Sequence, residues 1–180
     1  MGLEKYSEMS LISTHPVKKG DLGFHGNLFG GKLLSWVDAA GAALATQIAD
    51  TPRMVTVLID ECLFKKPAKE GHLLKIYGMV DSIGRTSVTL KLEARAHNVY
   101  SGQQSIILST NIKFVRIDEN NEAIPISERV RNKYNKYNMG KIKMNFRYKV
   151  LLFLIYLTFS TIYTTIDIIC VLVNKIIQYL

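Results

Sequence analysis

Apolar residues recur at Leu33, Val37, Ala40, Leu44 and Ile48, the three-and-four spacing of one buried helical stripe. The pattern predicts a helix from about Gly31 to Ala49. Asp50-Thr51-Pro52 ends it, because proline disfavours helix at the residue before it. Small residues line this helix (Ala39, Ala40, Gly41, Ala42, Ala43 and Ala45), so a sheet can wrap it closely. Further along, the period changes to two. In TSVTLKLEARAHNV, Val88, Leu90, Leu92, Ala94 and Ala96 face one way, while Thr89, Lys91, Glu93, Arg95 and His97 face the other. MVTVLIDECLF (54–64) is β-branched and apolar, and HLLKIYGMVDSIG (72–84) alternates moderately before a turn. SIILSTNIKFVRID (105–118) comes after the loop at Tyr100 and closes at the turn DENNE, and YSEMSLIS (6–13) predicts an early edge strand. One short strand, one long helix and four strands at hairpin spacing predict an α+β fold. Its antiparallel sheet curls round a single central helix and ends near Ile126.

Composition and charge separate this domain from the C-terminal segment. The chain has 180 residues, 48% of them apolar and 21% charged, enough for one domain with a sizeable core. Its formal charge of +8 invites a nucleic-acid reading. Residues 1–127, however, carry 14 Lys and Arg against 13 Asp and Glu, whereas 128–180 carry 9 against 2. The basic excess sits in the C-terminal segment, so a phosphate-tracking surface on the domain is not expected. The predicted organisation is a domain at 1–127, a basic linker at 128–149 and an apolar tail at 150–180. Within the tail, VLLFLIYLTFSTIYTTI (150–166) is 17 uncharged residues, at the short end of the roughly 17–25 that span a membrane. Lys141, Lys143, Arg147 and Lys149 suit a cytoplasmic flank, which makes 150–173 a candidate membrane contact. Its hydroxyl residues and Asp167 argue against a span. An extra helix packed on the domain, or an extension without an evolved role, fits as well. Cys62 and Cys170 form no metal-like spacing and read as reduced structural thiols of a cytoplasmic protein. The opening MGLEKYSEMSLISTHP lacks the apolar core of a secretory leader. Tyr6 stands where a myristoylation motif wants Ser or Thr.

The candidate chemistry lies in GFHGNLFGGKLLSWVDAAGAALA (23–45). Gly30 and Gly31 open the predicted helix, where backbone N–H groups and the helix dipole favour negative charge. With no Cβ in the way, a carbonyl oxygen can approach these donors and be stabilised as charge builds on it. A tight turn and close helix packing would explain the same glycines. Asn27 offers a donor and an acceptor just before the helix, as a turn or capping residue does. Asp38 is the only carboxylate on an alanine-rich helix. At 100° per residue it lies about 100° from Val37 and about 140° from Leu33, at the margin of the buried stripe. Leu34, Gly41 and Ala45 share its side, so a partly dry carboxylate with space in front of it is expected, with a raised pKa that suits a base. A solvent-facing Asp on an amphipathic helix is the plainer alternative.

Four stretches in register resemble the acyl-CoA thioesterases of the hotdog-fold superfamily, the short bacterial type and its tandem eukaryotic relatives. They are GNLFGGKLLSWVDAAGA (26–42), VTVLIDECLFKKPAKEGHLL (55–74), SIGRTSVTLKLEA (82–94) and STNIKFVRIDENNEAIP (109–125). The resemblance covers roughly residues 8–126 and leaves the tail unsupported. It implies a hotdog fold, hydrolysis of acyl-CoA to fatty acid and CoA, and a homodimer or higher homo-oligomer with sites at its interface. It also implies that Asn27 of one chain works with Asp38 of another, with Asp38 as general base or nucleophile and Gly30 and Gly31 as oxyanion donors. Coenzyme A is then part of the substrate, and no separate cofactor or metal is expected. Arg85, Thr86, Ser87 and Lys66, with Lys65 beside it, are the candidates for its phosphates, although charged turn residues are commonly just solvated. Two other readings remain. His25 with Asp38 superficially suits a hotdog dehydratase acting on hydroxyacyl thioesters, but FHGNLFGG lacks the Pro and Glu of that pattern. A non-catalytic acyl-CoA-binding domain tethered to a membrane is the third.

Overall fold

A computed structural model describes residues 9–139, 146–151 and 153–155. It contains β1 (Ser10–Pro16), a short 3-10 turn (Lys19–Asp21), α1 (Gly30–Ala49), β2 (Met54–Phe64), β3 (Leu73–Ile83), β4 (Ser87–His97) and β5 (Gln104–Arg116). The strands form one five-stranded sheet in the order β1-β3-β4-β5-β2, antiparallel throughout. The alternation in β4 decides which face meets the helix. Val88, Leu90, Leu92, Ala94 and Ala96 are all buried, joined by Leu74, Ile76, Ile112 and Phe114 from the flanking strands. Against this face α1 lays Leu33, Val37, Ala40, Leu44 and Ile48, and Val37 retains 0% of its accessible surface.

The small residues of α1 set how close the two layers come. A Cβ added at Gly41 would lie 2.9 Å from both Leu92 Cδ1 and Phe114 Cζ, atoms of two fully buried side chains. Helix and sheet therefore touch through backbone at this point. The helix stops where the sequence says it should, by a device beyond proline. Asp50 adopts the left-handed conformation (φ 52°, ψ 40°), returns its N–H to Thr46, and pairs its carboxylate with Arg129.

The early strand expected at an edge is β1, and it occupies one edge of the sheet; β2 occupies the other. β2 is apolar, yet Val55, Val57, Leu58, Leu63 and Phe64 are exposed. Its register with β5 shifts twice, and Glu61 takes a positive φ of 46° in the second irregularity. After β5, the chain does not turn into a linker at residue 128, as its basic composition suggested. Residues 128–139 are helical, and the first compact unit runs through Asn135 with Val130 and Tyr134 buried. Those two side chains are one helical turn apart and face the domain. The second unit begins at Lys136, and within it 146–151 and 153–155 are helical. Most of the candidate membrane segment at 150–173, and Cys170, lie outside the described residues. Among the described residues, no helix is long and apolar enough to cross a membrane.

Candidate active site

The loop before α1 is built by its own backbone. Gly23 N–H donates to Asn27 O (2.7 Å) and Gly26 N–H to Gly23 O (3.0 Å), with Gly26 at φ +66°. Two further bonds anchor the loop to the body: Leu28 N–H to Ala68 O at 2.8 Å and Phe29 N–H to Asp21 O at 2.9 Å. α1 then starts from Phe29, whose side chain cannot cap it. The N–H groups of Gly30, Gly31 and Lys32 have no acceptor among the described residues, so the first turn presents unsatisfied donors. A Cβ at Gly30 would come 3.3 Å from the ring of Phe64, so glycine keeps the backbone open where that ring closes in.

In front of these donors lies a cavity of about 320 Å³, lined by Asn27, Gly30, Leu33, Phe64, Lys66 and Ile107 among others. Asn27 Oδ1 is shielded from solvent and has no hydrogen-bond partner among the described residues. Leaving such an acceptor unpaired costs about 1–3 kcal/mol, which a purely structural turn residue would avoid. Asn27, the first residue of α1 and an apolar wall thus border one space.

Asp38 does not line that cavity. Eight residues beyond Gly30, it sits about 12 Å further along the helix axis. It is half-buried, and its Oδ1 accepts a hydrogen bond from Thr56 Oγ1 of β2 at 2.7 Å. Thr56 escaped the sequence reading because it is one hydroxyl between Val55 and Val57 in an apolar strand. The only trace it leaves there is that interruption.

Arg85, Thr86 and Ser87 lie at the turn joining β3 to β4. There Gly84 N–H donates to Ser87 O (2.8 Å), and the Arg85 carbonyl accepts from Ile126 N–H (2.8 Å). Lys66 lines the Asn27 cavity and a neighbouring one beside Ala96. From Ser87 to Ala96 along β4 is about 30 Å. Within one chain, then, Lys66 and the Arg85 turn do not grip the same phosphates. His25 is exposed and meets the edge of Phe24, with ring centroids 5.5 Å apart. It does not line the Asn27 cavity. Cys62 is half-buried and free, and burial pushes its thiol pKa up, as befits an unreactive structural thiol.

The sequence model of the thioesterase superfamily matches residues 25–103. The acyl-CoA thioester hydrolase YciA of Escherichia coli K12 is 32% identical over 132 residues, which cover 64% of this chain and 99% of that protein. Among solved structures, a hexameric hotdog-fold thioesterase of Campylobacter jejuni is 30% identical with a TM-score of 0.62, over 68% of this chain and 93% of that one. A hexameric broad-specificity acyl-coenzyme A thioesterase is 29% identical with a TM-score of 0.65, over 74% of this chain and 91% of that one. With its sheet folded on a glycine-led helix and its relatives matched nearly end to end, this chain belongs to the hotdog-fold acyl-CoA thioester hydrolases.

Proposed function

We propose that the protein hydrolyses acyl-CoA to a free carboxylic acid and CoA, in a site completed by two copies of the chain. The observation that carries this reading is the unpaired Asn27 Oδ1 beside the open first turn of α1, with the Thr56-held carboxylate of Asp38 two helical turns away. The separation within one chain is what a shared site requires: Asn27 and Gly30 work with Asp38 of the partner subunit. Edge strand β2 supports the pairing. It carries Asp38's partner Thr56 and exposes a run of apolar side chains with unpaired backbone, a surface that a second copy would cover. Relatives described as hexameric thioesterases support the same assembly principle.

In this site the N–H groups of Gly30 and Gly31 receive the thioester oxygen as it becomes negative. One such preorganised donor is worth roughly 3 kcal/mol of barrier. The Asn27 amide orients the reactants across the opening. With one Asp38 oxygen held by Thr56, the other takes a proton from water as that water adds to the carbonyl carbon. The tetrahedral adduct collapses with loss of the CoA thiolate, which is reprotonated on release. The reading is tested by following free thiol release from short, medium and long acyl-CoA substrates with wild type and Asp38→Ala. Release by wild type and its near loss in the variant are expected. No release at any chain length, or full activity in Asp38→Ala, overturns the proposal.

A further inference from the structure

Thr110 of β5 is the one buried polar residue among the described residues, with 4% of its surface accessible. It pairs with fully buried Leu92 of β4 on the helix-facing side of the sheet, where a valine of the same shape would pack with no polar group to satisfy. Its hydroxyl donates to Asp60 O of β2 at 2.7 Å. Asp60 stands at the start of the second irregularity in β2. Asp60 pairs with Asn111 and Leu63 with Ser109, so Glu61 and Cys62 together oppose Thr110 alone. Glu61 holds its left-handed φ of 46° here, a conformation that costs a non-glycine residue energy and needs support from its surroundings. Thr110 gives that support from the core side, as donor to the carbonyl that opens the bulge.

The extra residue decides which side chain faces inward. Successive residues of a strand alternate between faces, so one inserted residue reverses every position after it. With the bulge, Phe64 lies opposite fully buried Leu108 and shares its face, while Leu63 takes the other. Without it, Leu63 would stand opposite Leu108 and Phe64 would turn away from the helix. In the observed register the Phe64 ring comes 3.3 Å from where a Cβ on Gly30 would stand. It forms the cavity wall in front of the open turn together with buried Leu28, Leu33 and Ile107. Phe64 still keeps 56% of its surface, so an apolar face is left for a ligand and not committed to the core.

We propose that Thr110 is a positioning residue and Phe64 a specificity residue. The Thr110 hydroxyl holds the β2 bulge in the register that sets the Phe64 ring across the cavity, and the ring limits the length of acyl chain accepted there. The proposal rests on the thioesterase reading, in which the carbonyl oxygen meets the first turn of α1 and the acyl chain leads away along the apolar wall. That wall suits an alkyl chain better than the pantetheine arm, whose amides would lose hydrogen-bond partners against it.

The test is the ratio of kcat/KM for dodecanoyl-CoA to kcat/KM for butyryl-CoA, which a loss of folded enzyme does not move. Phe64→Ala is expected to raise the ratio about tenfold, the scale on which an apolar pocket discriminates by size. Thr110→Val, which keeps the volume and removes the donor, is expected to raise it in the same direction, and Thr110→Ser to restore the wild-type ratio. Leu63→Ala, on the opposite face, is expected to leave the ratio where it was. If Thr110→Val does not fold, Thr110→Ala removes the same donor and takes its place. A ratio unmoved by Phe64→Ala, or unmoved by loss of the Thr110 hydroxyl, overturns the proposal. Thiol release by wild type from neither substrate overturns the thioesterase reading and this proposal with it, whereas release with unmoved ratios overturns this proposal alone.

Discussion

Thr56 of β2 donates its hydroxyl hydrogen to Asp38 of α1 at 2.7 Å, joining the edge strand to the only carboxylate of the central helix. The contact holds one carboxylate oxygen and fixes the rotamer that points the other. Thr56→Val should therefore lower kcat about tenfold, the effect of about 1.4 kcal/mol, with little change in KM. Thr56→Ser should recover most of the loss. Steady-state thiol release separates the two parameters, and a Thr56→Val enzyme with wild-type kcat would show that the hydrogen bond does not serve catalysis.

Asn27 gives the opposite balance of function and stability. Its unpaired oxygen is a burden to the isolated fold, so Asn27→Ala should keep or slightly raise the melting temperature while kcat/KM falls by about a hundredfold. Differential scanning fluorimetry alongside the thiol assay reads both. A drop of several degrees would instead make Asn27 a structural turn residue.

If Asn27 and Asp38 act from different subunits, two dead variants should rescue each other. Asn27→Ala and Asp38→Ala, unfolded together and refolded as a mixture, should recover about a quarter of wild-type activity. Half of randomly paired dimers are mixed, and each mixed dimer restores one of its two sites. Recovery no greater than the sum of the two single variants would place both residues in one subunit's site.

His15 predicts the acid side of the stability profile. Its ring stacks on Trp36 with centroids 4.7 Å apart and 7° between planes. Burial lowers its pKa below the ordinary value, Asp21 opposes that shift, and Lys32 adds to it. The unfolded chain then binds the proton more readily than the folded one. The stabilisation is complete above about pH 6.5 and drains away as the pH falls through the depressed folded value. Melting temperatures measured between pH 8 and pH 5 should fall on the acid side. In His15→Phe, which keeps a stacked ring without a titrating group, that part of the slope should flatten. An identical slope in the variant would assign it to other groups.

The α1 stripe and the β4 alternation were legible because burial repeats at the period of the local backbone. The expected helix differs from the observed one by a single residue at its start. The segment from 128 misled because two buried residues in a basic, polar stretch are too sparse to outweigh its charge. Among the described residues, Val130 and Tyr134 are the ones of this segment that are buried. Lys66 and the Arg85 turn are both candidates for the phosphates, but spacing along the chain does not reveal that the length of β4 separates them within one chain.

By itself the sequence determined the elements, the inward faces and the loop-to-helix motif with its Asn and Asp, because each comes from local periodicity or residue chemistry. Only the tertiary structure decided that Thr56 holds Asp38, that the Asn27 side-chain oxygen has no partner among the described residues, and that Arg131 and Arg85 line one cleft. Those relations join residues far apart in the chain, and they exist only once helix, sheet and second helix have packed. Packing distance, not sequence distance, is what a hydrogen bond or a charge responds to.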